Sequence, residues 1–233
     1  VISNVENGLP SMIRLTQSQA TAQRMGIEQI FESANCRHLR GRRATLSGRV
    51  RASAALTLRY AILEWTGSAD GVTSDVVANW ASTLFTPGNF FLSSNLVVSA
   101  TGSIALAANT LTDLAPLTAT LGSSFNNLIA LIWTDAAAAQ STTVDVALQL
   151  ERGGGATDRE IRSIGHELAL CMRYYQQVGT ARLFGQVQNA TTVLLAAPLN
   201  PPMRAAPSAT LLRGDFNAGS FDALIGGSWR TSS

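Results

Sequence analysis

Residues 142–178 read TTVDVALQLERGGGATDREIRSIGHELALCMRYYQQV, and the change of period inside this stretch divides the chain. Val144, Val146, Leu148 and Leu150 alternate with Asp145, Ala147, Gln149 and Glu151, which predicts a strand with one buried face. Gly153, Gly154 and Gly155 end it, because a glycine run is entropically costly in a strand and has no side chain to pack. Past Ser163 the spacing changes. Leu168, Cys171, Tyr175 and Val178 fall three and four apart, one face of a helix, with Gly179 as its stop. A β-domain is therefore expected over residues 1–160, and a helix opens a smaller module over 161–233.

Upstream of this stretch, period-2 segments recur. Strands are expected near 11–16, over Gly26–Glu32, and over Ala44–Ser53, where Ala44, Leu46, Gly48, Val50 and Ala52 share one face. Leu58–Trp65 and Asn127–Thr134 are apolar on both faces and read as central strands. The short Ser53–Leu56 turn suggests that Ala44–Ser53 and Leu58–Trp65 form one antiparallel pair. Further strands are expected at Asn95–Ala100 and Leu117–Leu121, with Ala136–Gln140 a loop. Between them, Ser74 can cap a short helix carrying Asp75, Val76, Val77 and Trp80, and Phe85, Phe90 and Phe91 flank a Pro87-Gly88 turn. Seven or eight strands at such spacing, without alternating helices, describe a two-sheet antiparallel sandwich and not a parallel α/β sheet. Beyond the helix, Arg182–Val187 and Thr191–Ala196 can pair, four prolines keep the next segment extended, Ser208–Arg213 is a last strand, and the Gly/Ser-rich end reads as a surface segment.

Three strings carry a family resemblance: LRGRRATLSGRVRAS…LRYAILEWTGSAD, QLERGGGAT…IGHELALCMRYYQ, and Met203–Thr210, MRAAPSAT. Together they resemble the carbohydrate-binding-module-like jelly roll of phage tail-fibre and receptor-binding proteins. Met172 stands where those proteins often carry Gln. The resemblance spans about Ile27 to Leu212. It implies a jelly-roll β-sandwich followed by a short amphipathic helix and a small β-containing C-terminal module. It also implies a virion location, a homotrimer, other virion proteins as partners, and a host-surface glycan as ligand.

Composition narrows the alternatives. Hydrophobic residues make up 46% of 233, enough for a core without a disulfide framework. Cys36 and Cys171 match no metal spacing and read as buried free thiols, a disulfide between them being the alternative. All 17 basic residues are arginine, net charge is +2 and only 14% of residues are charged, a surface suited to packing against copies of itself. No apolar run approaches the roughly 18 residues of a membrane span, and the start is no signal peptide. Opening on Val1, the chain reads as the C-terminal portion of a longer polypeptide. Five cations in the run Arg37–Arg43 raise nucleic acid, but no aromatic interleaving or second basic stripe accompanies them, so the run reads as a solvated turn.

Catalytic signatures are thin, and no enzyme activity, cofactor or metal site is expected. His38 sits among arginines, which disfavour its protonation, and His166 lies in the first helical turn. No G-x-S-x-G elbow occurs. Gly153–Gly155 lack a following G-K-[ST], and Asp158 and Glu160 would repel a phosphate. Asp70 and Asp75 raise a carboxylate pair but also fit turn and cap chemistry. Glycan binding is the stronger expectation, because sugars stack on aromatic faces flanked by carboxylates and amides. The candidate ligand residues are Trp80, Asn79, Asp75, Phe85 and Phe90, on the longest excursion between central strands. The helical spacing of Trp80 with Val76 and Val77 also fits a core position. A purely structural connector or cap of a fibre is the alternative, with a polysaccharide-degrading tail protein third.

Overall fold

A computed structural model describes residues 2–3, 11–72 and 75–177, and beyond them 184–189, 192–196, 199–204, 206, 208, 222–225 and 228–231. The elements of the first part are β1 (Ile2–Ser3), β2 (Ser11–Thr16), β3 (Gly26–Phe31), α1 (Ser33–Cys36), a 3-10 turn (Arg37–Leu39), β4 (Arg43–Ala52), β5 (Leu56–Trp65), β6 (Leu96–Leu106), β7 (Thr112–Asp113), β8 (Leu117–Thr120), β9 (Asn127–Thr134) and β10 (Thr143–Arg152).

β5 and β6 form the tip of a long hairpin, Leu56 facing Leu106 and Trp65 facing Leu96. Outward from that tip β4 pairs with β8, β3 with β9 and β2 with β10, all antiparallel. Rolling this ladder sends successive pairs to opposite layers. One sheet runs β1-β2-β10-β4, with β7 and β8 both on β4, and the other runs β3-β9-β5-β6. That nesting is a jelly-roll sandwich of two antiparallel sheets.

The alternation on β4 and β10 decides which side faces in. Leu46, Val50, Val144 and Val146 meet Leu58, Tyr60, Ile62, Leu128, Ala130 and Ile132 between the sheets. The opposite side of β4 and β10 is polar, and Arg14 and Arg51 both pair with the buried Asp145 there, at 2.7 and 2.9 Å. Burial pushes the Asp145 carboxyl up, but hydrogen bonds from Arg14 and Arg51 more than offset it and hold it below the usual range. β5 and β9 are apolar on both sides because a second core covers their outer face. Ala61, Leu63, Ile129, Leu131 and Trp133 lie beneath Val72, Val76, Val77, Phe90 and Phe91 of the β5–β6 connection. Phe90 and Phe91 are fully buried, and each such side chain contributes roughly 1.5–3 kcal/mol.

Two local expectations are corrected. β4 and β5 are not a hairpin: Ser53, Ala54 and Ala55 carry the chain from one sheet to the other. A short connector usually joins paired strands, but β5 needs cover on both faces and finds it only across from β4's sheet. The helix expected from Ser74 also does not form. Ser74 lies outside the described residues, and residues 75–80 are irregular, with Val77 bridging to Phe91. Asp75 Oδ1 accepts the Val77 N–H at 2.8 Å, a local bond that competes with helix formation, and two adjacent β-branched valines favour the extended form.

The chain divides into Val1–Glu160 and Ile161–Ser233. In the second unit α2 (Ile164–Met172) starts at Ser163, whose hydroxyl accepts the His166 N–H, and none of its side chains is buried. Leu168 and Tyr175 are exposed, and Val178 and Gly179 lie outside the described residues. Both cysteines are free, but Cys171 is exposed and only Cys36 is buried, correcting the expectation of two buried thiols. β11 (Phe184–Asn189) and β12 (Thr192–Ala196) pair antiparallel. The strand expected at Ser208–Arg213 falls almost wholly outside the described residues. In the Gly/Ser-rich end, β13 (Asp222–Ile225) and β14 (Ser228–Thr231) form a hairpin.

Candidate functional site

The outer face of β3 begins with Gly26, opposite Trp133 on β9. A Cβ there would lie 2.9 Å from the Trp133 Cβ and 3.0 Å from Trp80 Cη2. Glycine thus leaves a slot that takes one edge of the Trp80 indole. The ring stands edge-on to Phe90, centroids 5.5 Å apart. Its other end is held by Asp75, whose Oδ2 accepts the indole N–H at 2.9 Å. Arg24 fixes the backbone of the same turn, donating to the carbonyls of Trp80 and Ser82 at 2.6 Å each and to Asp135 O at 2.8 Å. A side chain clamped at its ring, its N–H and its own carbonyl has little rotamer freedom left to lose on binding.

Of the five expected ligand residues, Asp75, Trp80, Phe85 and Phe90 come together, with Asn79 beside them. Asp75 and Asn79 are exposed and Trp80 is half-buried. Asn79 Oδ1 accepts the Ala81 N–H at 2.9 Å, and its amide NH2 has no partner among the described residues. Phe90 is different. It is 0% exposed and stacked on Trp133 at 5.2 Å, so it is a core residue with no face to offer a ligand. Phe85 packs edge-on to Phe90 at 5.0 Å while the Arg59 guanidinium, itself paired with Asp135, lies 4.2 Å over its ring. The accessible rim is therefore Asp75, Asn79 and the exposed part of Trp80: a carboxylate, an amide and an aromatic surface, residue types that can hydrogen-bond hydroxyls and pack against an apolar ring face.

Glu28 belongs to this site and has no sequence signal. It follows Gly26 on the outer face of β3, half-buried, and its Oε2 is enclosed without a hydrogen-bond partner among the described residues. Burial pushes its carboxyl up to about 7, against a lowering hydrogen bond from the Val76 backbone and with a contribution from the Asp75 charge. Trp133 Nε1, on the same outer face, is likewise buried and unpartnered among the described residues.

The remaining chemical candidates stay apart. His38 is exposed in the 3-10 turn, and His166 is exposed in the first turn of α2. Asp70 is committed to structure: its carboxylate accepts from Ser33 N, Ser33 Oγ and Asn127 Nδ2, each at 2.8 Å. Among the described residues no three His, Cys, Asp or Glu are grouped to hold a metal ion, and no helix is long and apolar enough to cross a membrane. An apolar groove of about 260 Å³ opens between the β2–β10 and β3 edges, lined by Ile13, Ile27, Phe31, Leu148 and Leu150, and Glu28 also reaches its wall. Comparison with models of known protein families finds no match for this chain, and comparison with curated proteins finds none either.

Proposed function

We propose that this chain is a non-enzymatic component of a virion fibre or spike that binds a host-surface glycan at the rim of Asp75, Asn79 and Trp80. The observation that carries this reading is the fixed indole. Trp80 is held against Gly26, bonded to Asp75 and pinned through Arg24, yet stays only half-buried, and both Asp75 and Asn79 are exposed. Functional contacts concentrate on loops held by a rigid scaffold, and this loop is anchored by the fully buried Phe90 and Phe91. The family resemblance supports the virion setting. Two of its strings, Leu39–Ser53 and Gln149–Thr157, fall on β4 and on the end of β10, which are direct neighbours in one sheet.

The test is cell retention and melting measured on the same Trp80→Ala sample. A half-buried indole contributes less than the roughly 3–5 kcal/mol of a fully buried one, so the variant should stay folded while glycan or host-cell binding is lost. A folded variant that adheres like the wild type refutes the assignment of the site. Asp75→Asn, which keeps an acceptor for the indole N–H, should weaken binding with little change in melting.

A second reading, a structural connector or cap within the fibre, draws on the second unit. Ile161, Ile164 and Leu168 are exposed there, Ile164 at 87%. It predicts association with other virion proteins and no glycan retention.

A further inference from the structure

Arginines in mid-strand on the sandwich faces are paired with acids. Arg14 and Arg51 share Asp145, Arg49 binds Asp113 and Arg59 binds Asp135. One end of the sandwich breaks this pattern. The turn that precedes β4, the first residue of β4 and the last residue of β10 bring Arg37, Arg40, Arg42, Arg43 and Arg152 to the same end of the β10-β4-β8 sheet. Arg43 faces Thr120 at the end of β8, and Arg152 faces Ala44 beside it. Arg37 and Arg40 both donate to one neutral oxygen, Asn126 Oδ1, at 3.5 and 2.8 Å. Among the described residues the side chains of Arg42, Arg43 and Arg152 have no hydrogen-bond or ion-pair partner, and all three residues are exposed.

Two carboxylates near this end are engaged elsewhere: the buried Glu64 accepts the Gly122 N–H at 2.9 Å and the Ser99 hydroxyl at 2.7 Å. Glu151 is turned to Thr157, accepting its N–H at 2.8 Å and its hydroxyl at 2.6 Å. The glycines beside it make room for the cations. A Cβ on Gly154 would sit 2.8 Å from Arg43 Cζ, so the guanidinium lies directly against the glycine backbone, and a Cβ on Gly155 would meet open space.

We infer that this end of the sandwich is a binding site for an acidic polysaccharide, separate from the Trp80 rim and independent of it. Guanidinium forks match carboxylate and phosphate groups geometrically. The cations are spread over the ends of β4 and β10 and the turn before β4, an arrangement that suits a repeating anion better than a single one. Nucleic acid is the less favoured polymer. Binding of single strands uses open aromatic faces for base stacking, and the aromatic ring beneath Arg40, Phe125, is fully buried.

The experiment is affinity electrophoresis of the whole chain through gels containing polygalacturonate, polyphosphate, dextran or single-stranded DNA, at rising salt. Polygalacturonate and polyphosphate arms separate carboxylate from phosphate as the recognised group. Retardation by at least one of them, absent in dextran and abolished by salt, is expected. Arg42→Gln/Arg43→Gln should weaken it about tenfold and flatten the salt dependence by roughly 0.7–0.9 per lost contact, with melting unchanged. Arg49→Gln, on the paired face, should bind as the wild type does. If the double variant does not fold, Arg152→Gln carries the same readout. Wild-type mobility equal in dextran and both polyanions overturns the proposal, as does unchanged binding by the folded variant. Stronger retention by DNA than by either polyanion overturns it in favour of a nucleic-acid surface.

Discussion

Replacing Glu28 by glutamine should stabilise the sandwich at pH 8 and leave it nearly unchanged at pH 5. In the folded chain Glu28 titrates near 7, against 4.5 in the absence of its surroundings, because burial disfavours the charged form and Asp75 adds repulsion. A raised carboxyl pKa means that the folded state holds the proton more tightly than the unfolded state. The resulting stability is complete below about pH 4.5 and is lost as pH rises through 7. At about 1.36 kcal/mol per pH unit the full interval converts to about 3.4 kcal/mol. Glu28 is only half-buried, so solvent screening reduces this to about 1.5 kcal/mol. The glutamine side chain stays neutral throughout and can still accept the Val76 N–H. The wild type should therefore fall behind the Glu28→Gln variant by about 1.5 kcal/mol between pH 5 and pH 8, roughly 3–6 °C in melting temperature for a unit of this size. Urea titrations followed by tryptophan fluorescence suit the purpose, since Trp65, Trp80 and Trp133 all report on the sandwich and only Trp229 lies in the second unit. Subtracting variant from wild type at each pH cancels the other titrating groups. A difference that stays flat from pH 5 to 8, or wild type gaining on the variant as pH rises, would falsify the account of Glu28 as a proton held by burial.

Three further outcomes are expected. Asp145→Asn should cost about 2 kcal/mol at pH 7, because Arg14 and Arg51 lose a shared buried partner while remaining partly solvated; urea midpoints at pH 7 and pH 3 check this, the gap between variant and wild type starting to narrow as pH falls below the usual carboxylate range, where the unfolded chain takes up a proton that the folded carboxylate resists. Gly26→Ala should push the Trp80 edge out of its slot at a cost of about 1–3 kcal/mol and shift tryptophan emission to the red; unchanged emission would mean that the indole does not rest on β3. Light scattering should give about three times the 24.6 kDa of the chain if the proposed homotrimer forms, and a mass of one chain at micromolar concentration rules it out for this sequence.

What can be read from the sequence follows from which faces water touches. β10 announces itself because Val144, Val146 and Leu148 face the core while Asp145 and Gln149 do not, and β5 and β9 announce a two-sided burial by being apolar throughout. Alternation does not say what lies on the far side of a doubly buried strand, and the misreadings share that origin. Phe90 reads as a ligand residue because it sits in a long loop; it is buried because Trp133, 43 positions later in the chain, presents its ring to that loop. Val76, Val77 and Trp80 have helical spacing, yet a loop pressed against a flat sheet also turns an apolar side chain inward every few residues, and Asp75 bonds the backbone locally. β4 and β5 are joined by three residues and still part, since the rolled hairpin pairs strands by nesting rather than by proximity in the chain. Glu28 has the same cause in its most concealed form. Parity assigns it to the face away from the inter-sheet core, where a carboxylate is ordinarily solvated, and it becomes half-buried only because the β5–β6 connection folds over β3. The Trp80 rim depends on that same overlay. Asp75 bonds the indole and also repels Glu28, so whatever loosens the proton on Glu28 acts on the loop that carries the candidate ligand residues.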